Sequence, residues 1–156
     1  MFQQRPSVDA WVSLLRSSSA LTRTFNAQLV ADHGLTINDY EVLLILARAP
    51  DRRLRRVDLA GHLLLTASGI TRLLDGLERD GYVTKAQCKT DARVTYAVLT
   101  EAGRNKLARA SGSHVSQVAD LFRERFSDEE LATLAELLGR LPGAAGDAED
   151  CAAGPA

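Results

Sequence analysis

Cysteine is scarce in this chain. Only Cys88 and Cys151 occur, far apart, and neither belongs to a Cys-x-x-Cys pair or a Cys/His cluster. That argues against a disulfide framework and makes a reducing compartment the simplest setting. Aromatic residues make up 5% of the chain, so the core must be built mainly from Leu, Val and Ala. No apolar run approaches the roughly 20 residues needed to cross a bilayer. The opening residues, Met1 to Pro6, lack the apolar segment of a secretion signal, so a cytoplasmic protein without membrane attachment is expected. Enzymatic signatures are missing as well: there is no nucleophile elbow, phosphate loop, HExxH or pair of catalytic carboxylates. No cofactor and no metal are therefore expected, and an enzyme is the disfavoured reading.

Strong charge of either sign is lacking too, but the net value of −1 hides a division. Residues 37–100 hold ten Lys/Arg against eight Asp/Glu, whereas residues 101–156 hold six against ten. The excess acid lies in the C-terminal third, so overall charge does not exclude a nucleic-acid-binding face elsewhere. With 156 residues, 46% hydrophobic and 25% charged, the chain has the size and composition of one globular domain with or without an oligomerisation extension.

The most informative stretch runs from Thr66 to Gly81. Ile70, Leu73, Leu74 and Leu77 recur at the spacing of one apolar helix face. The other side of the first two turns carries Ala67, Ser68, Thr71 and Arg72. Thr66 stands at the N-cap position and Gly81 where a left-handed C-terminal residue belongs. Small, hydrogen-bonding residues let a helix backbone come close to the major groove of B-DNA. An ordinary amphipathic surface helix has the same pattern, so the neighbouring elements must decide.

Upstream, residues 8 to about 31 read as a long helix, with Trp11, Leu15, Phe25 and Leu29 among its apolar positions, ending at His33-Gly34. A second helix opens at Thr36 or Asn38 and stops before Pro50. Residues 51–56 read as a basic loop with Arg52, Arg53, Arg55 and Arg56. Val57 to Leu63 form a short helix that turns into the stretch above, which is the helix-turn-helix order. Downstream, residues 82–86 and 94–99 read as two strands joined by a polar turn with Lys89 and Arg93 near its tip, a basic hairpin that acts as a wing. A long helix follows from Thr100 to about Phe126. Ser127 with Glu130 begins the last helix, ending at Pro142-Gly143. The Ala/Gly/Asp/Glu-rich tail reads as disordered.

In this order and spacing the chain resembles the MarR family of bacterial transcription regulators. The resemblance spans residues 8 to about 141. It rests on Leu59-Ala60, the run from Ser68 to Val83, the Asp91-Ala92-Arg93 of the wing, and Leu99-Thr100-Glu101-Ala102-Gly103. The fold it implies is mainly α with a small β-wing: a winged helix-turn-helix lobe plus a helical dimerisation region formed by the N- and C-terminal helices. Residues 1–35 are then an N-terminal dimerisation helix, 36–100 the DNA-binding lobe, 101–142 the C-terminal dimerisation helices, and 143–156 a disordered tail. The apolar surface of the long helices, more than one lobe can cover, agrees with a partner.

The resemblance implies a sequence-specific regulator, expected to be a repressor. It binds double-stranded DNA at a pseudo-palindromic operator as a homodimer, associates with the nucleoid, and responds to a small-molecule effector. Ser68, Thr71 and Arg72 are the expected groove contacts, with Thr66 as a cap near phosphate. Arg93 is expected at the wing tip, held by a salt bridge from Asp91. Relatives often carry a second basic residue where this chain has Ala92, which leaves Lys89 to compensate. Arg56 joins the set from the basic segment, whose alternative is a solvated loop. Trp11 reads first as dimer core, with an effector-pocket role as its alternative, and Trp11, Phe25 and His33 are the effector-site candidates.

Two alternatives remain. One is a winged-helix protein–protein module without DNA binding, which the retained Arg72 and Arg93 disfavour. The other is a metal- or redox-responsive regulator, through His33 or His114 with carboxylates, or through Cys88 in the wing. Redox-sensing relatives place their cysteine near the start of the first helix, where this chain has none.

Overall fold

The computed structural model describes residues 5–63 and 65–143. Six α-helices, one short 3-10 helix (Pro50–Arg52, between α2 and β1) and three strands follow in the order α1 (Pro6–His33), α2 (Ile37–Arg48), β1 (Arg53–Arg55), α3 (Arg56–His62), α4 (Ala67–Arg79), β2 (Val83–Gln87), β3 (Thr95–Leu99), α5 (Glu101–Arg123) and α6 (Asp128–Leu138). The expected class, mainly helical with a small β-wing, is what is found. The expected disordered tail lies outside the described residues from position 144 onward.

Local chemistry sets most of the boundaries. Gly34 ends α1 at φ 65°, and its N–H donates to the carbonyl of Val30. Thr36 rather than Asn38 caps α2. Its hydroxyl accepts from the Asp39 N–H at 3.1 Å while the Asp39 carboxylate accepts from the Thr36 N–H at 2.8 Å. Ser127 and Glu130 form the same reciprocal cap on α6.

The core lies inside the lobe. Leu43 and Leu46 of α2, Leu59 of α3, Leu74 and Leu77 of α4, and Val83 and Ala97 of the sheet are buried together. Leu29 of α1 and Leu107 and Ala110 of α5 reach into it, so the long helices are anchored to the lobe from one side. Elsewhere they are more open: Phe25 and Leu29 are the buried residues of α1, Gly103, Leu107 and Ala110 those of α5, and α6 has none.

The basic segment departs from its expected form. Arg53 to Arg55 is a third strand rather than a loop, antiparallel to β3 with Leu54 opposite Ala97, giving the sheet order β1-β3-β2. Strand β2 pairs with the other side of β3 from Val83–Leu99 to Gln87–Thr95. Three residues with one inward side chain carry too little alternation to announce a strand.

Candidate nucleic-acid interface

Helix α4 presents its apolar face to the core through Ile70, Leu74 and Leu77, which leaves its N-terminal polar side outward. Thr66 is the cap, its hydroxyl accepting from the Gly69 N–H at 3.1 Å and lying 3.2 Å from the Ser68 hydroxyl. Thr71 donates its hydroxyl proton to the Ala67 carbonyl at 2.8 Å, so outward it offers a methyl group and oxygen lone pairs. Arg72 is exposed and has no partner among the described residues. This half of α4 is slim, polar and carries one unengaged guanidinium.

The wing is the β2–β3 hairpin, its turn closed by the Cys88 N–H donating to the Val94 carbonyl at 3.0 Å. Lys89 and Arg93 are exposed there without partners among the described residues. Asp91 does not hold Arg93 by a salt bridge. Its carboxylate accepts instead from the backbone N–H of Arg93 at 2.9 Å, fixing the turn and leaving the guanidinium unengaged. The Cys88 thiol lies 3.2 Å from the Thr90 hydroxyl, and hydrogen bonds from Thr90, chiefly that hydroxyl, hold it below the usual thiol range.

The arginines of the basic segment separate into two kinds. Arg52 meets Glu101 at 3.8 Å, Arg53 meets Asp51 at 3.6 Å and lies over the Tyr96 ring, and Arg55 meets Asp58 at 2.6 Å. Arg56 is different: its Nη2 is shielded from solvent and has no hydrogen-bond partner. It lines a cavity of about 510 Å3 between α3, α4 and the wing, together with Ile70, Thr71, Arg93 and Val94. Helix α4 and the wing therefore converge on one concave, cationic surface, lined by Thr71 from the one and Arg93 from the other.

Lys85 was not singled out from the sequence. From β2 its ammonium reaches Asp75 at 3.3 Å and Glu78 at 2.9 Å, both on α4. The legible signal was two carboxylates at i and i+3, followed across a tight turn by a lysine on a strand.

The effector-site candidates are not brought together within the chain. Trp11 is 60% exposed. It lies fourteen positions before Phe25 on α1, ~21 Å along the axis at the helical rise. Phe25 is buried with its ring edge-on to His114 at 5.5 Å, and His33 accepts from or donates to the Ser113 hydroxyl at 2.6 Å. Phe25 and His33 thus belong to the α1–α5 junction, where Tyr40 also meets His114 at 4.9 Å and Ser111 at 3.1 Å. No group of three His, Cys, Asp or Glu side chains converges on a metal position among the described residues. No helix of the described residues is long and apolar enough to cross a membrane.

A helix-turn-helix with a hairpin wing, both arms ending in unengaged basic side chains, is a DNA-binding lobe by its architecture. Residues 33–94 match the model of the MarR family. Over 135 residues the chain is 32% identical to the HTH-type transcriptional repressor YetL of Bacillus subtilis, covering 86% of this chain and 80% of that protein. Among solved structures it is similar to Sco3205 of Streptomyces coelicolor, a MarR family transcriptional regulator in complex with DNA. There the TM-score is 0.78 and identity 29%, over 88% of this chain and 86% of that one. CouR of Rhodococcus jostii, solved bound to p-coumaroyl-CoA, matches with TM-score 0.70 and 25% identity over 88% and 94%. The chain belongs to the MarR family of transcriptional regulators, which are not enzymes.

Proposed function

We propose that this regulator binds a pseudo-palindromic operator in double-stranded DNA as a homodimer, represses transcription there, and releases the DNA when a small ligand binds. The convergence of Thr71 and Arg93 on one cationic surface carries the DNA part of this reading. In that role Ser68, Thr71 and Arg72 face base edges, Thr66 lies near phosphate as the helix cap, and Arg93 and Lys89 follow the backbone or minor groove. Asp91 acts indirectly, by shaping the wing turn, and Arg56 adds positive charge from the cavity floor. The solved DNA complex of a relative supports the same mode, and the name of YetL supports repression. The site of action is the cytoplasm, on the nucleoid.

The dimer is supported by the apolar faces left bare on the long helices: Trp11 and Leu15 on α1, Val115 on α5 and Leu137 on α6 are exposed. Residues 1–35 and 101–142 are then the dimerisation segments flanking a lobe of residues 36–100. Ligand modulation is supported by the ligand complex of CouR. Trp11 joins Phe25 and His33 in an effector site only if a second copy completes it.

Purified protein mixed with sheared genomic DNA, followed by anisotropy titration of the captured fragments at two salt concentrations, tests the reading. Recovery of half-sites ~one helical turn apart, bound by a dimer with a steep salt dependence, is expected. A dimer that binds no DNA at low salt would overturn it in favour of a protein–protein module.

A further inference from the structure

Arg72 and Asp75 stand three positions apart on α4, the spacing at which a guanidinium and a carboxylate on one helix readily pair. They do not pair. The Asp75 carboxylate is engaged by Lys85 of β2 at 3.3 Å, and the same ammonium meets Glu78 at 2.9 Å. Glu78 is the more enclosed of the two: Lys85 meets its Oε2, and its Oε1 is shielded from solvent with no hydrogen-bond partner. Asp75 and Glu78 are the only acidic residues of α4, and one lysine occupies both.

We propose that Lys85 is a positioning residue for DNA recognition: by holding Asp75 and Glu78 it keeps Arg72 unpaired and available to the groove. Lys85 need not touch DNA to do this. The hydrogen bonds it donates to Glu78, and then to Asp75, raise the Lys85 pKa above the usual lysine value, so the clamp stays charged across the working pH range. When Lys85 is removed, Asp75 is released one helical turn from Arg72 and captures it. The proposal rests on the DNA-binding reading above, and its test has one arm that needs no DNA.

In the free protein, the Arg72 Nε–H resonance of wild type should exchange rapidly with water. In Lys85→Met it should become protected, and in Lys85→Met/Asp75→Asn it should return to wild-type behaviour. Anisotropy against the captured operator forms the second arm. Lys85→Met should bind roughly two- to threefold more weakly, Lys85→Arg like wild type, and Lys85→Met/Asp75→Asn indistinguishably from Asp75→Asn alone, the coupling expected of groups that act through one another. In an Arg72→Ala background Lys85→Met should cost nothing further.

An equal loss from Lys85→Met in every background, with the salt slope reduced by about one, would mean that Lys85 itself contacts phosphate, and would overturn the proposal. An Arg72 signal unchanged in Lys85→Met would overturn it as well, whether or not DNA is bound. A drop in melting temperature with unaltered affinity of the folded protein would reduce Lys85 to a structural tie and likewise overturn it. Failure of wild type to bind DNA at all strikes the underlying reading and leaves the resonance arm to decide the clamp.

Discussion

Gly103, at the start of α5, lies directly against the backbone carbonyl of Tyr82, at the entry to the wing. A Cβ built on Gly103 would overlap that oxygen and come within 2.8 Å of the Leu99 side chain. The Thr100 N–H donates to the same Tyr82 carbonyl at 3.1 Å, and the Thr100 hydroxyl donates to the Gly81 carbonyl at 2.6 Å. The end of α4, the base of the wing and the first turn of α5 are thereby joined at one point, which explains physically the Leu-Thr-x-x-Gly pattern that follows the hairpin.

Gly103→Ala should therefore force α5 away from Tyr82. A loss of ~1–3 kcal/mol is expected from the overpacking, read as a lowered urea midpoint. Gly112→Ala, where an added Cβ meets open space, should be neutral or slightly stabilising and serves as the control.

Arg93→Ala should weaken DNA binding across sequences and lower the salt slope by about one, with melting unchanged. The side chain has no partner in the fold to lose, because Asp91 engages only its backbone. Wild-type affinity in this variant would remove the wing tip from the interface.

Arg72→Ala should behave differently. Discrimination among operator variants should fall by ~1–3 kcal/mol at one base position, while non-specific binding changes less. Competition titrations with single-base variants of the captured site distinguish the two arginines.

His114 sets a pH dependence of stability. Burial between Phe25 and Tyr40 holds its pKa below the ordinary histidine value of 6.5, and its Nδ1 has no partner. The unfolded chain then binds the proton more readily than the folded one. This contribution to stability is full above about pH 6.5 and is lost as pH falls from there toward the lower folded pKa. His114→Gln should flatten that decline in denaturation midpoints measured between about pH 8 and 5, roughly 1.5 units either side of the free-histidine value.

Much of this was readable from the sequence because it is local. The α4 cap at Thr66, the apolar face of Ile70, Leu74 and Leu77, and the Ser127 box each depend on residues within a turn or two. What escaped depends on partners far along the chain. Strand β1 exists because β3, some forty residues later, offers it an edge, and Arg52 is engaged by Glu101 from another helix. The Asp91 carboxylate had two donors within reach, a guanidinium and a backbone amide, and charge alone favoured the wrong one. The shorter path, closing a turn on its own chain, prevailed.

The three-stranded sheet has two open margins, and neither invites another chain. Strand β1 spans only three residues, with exposed arginines at 53 and 55, and the opposite margin, β2, carries Lys85. Short length and positive charge on an unpaired edge discourage strand-on-strand stacking. The exposed apolar side chains lie instead on the helices, among them Trp11 and Leu15 of α1 and Val115 of α5, so the self-association proposed above would run through helices rather than the sheet.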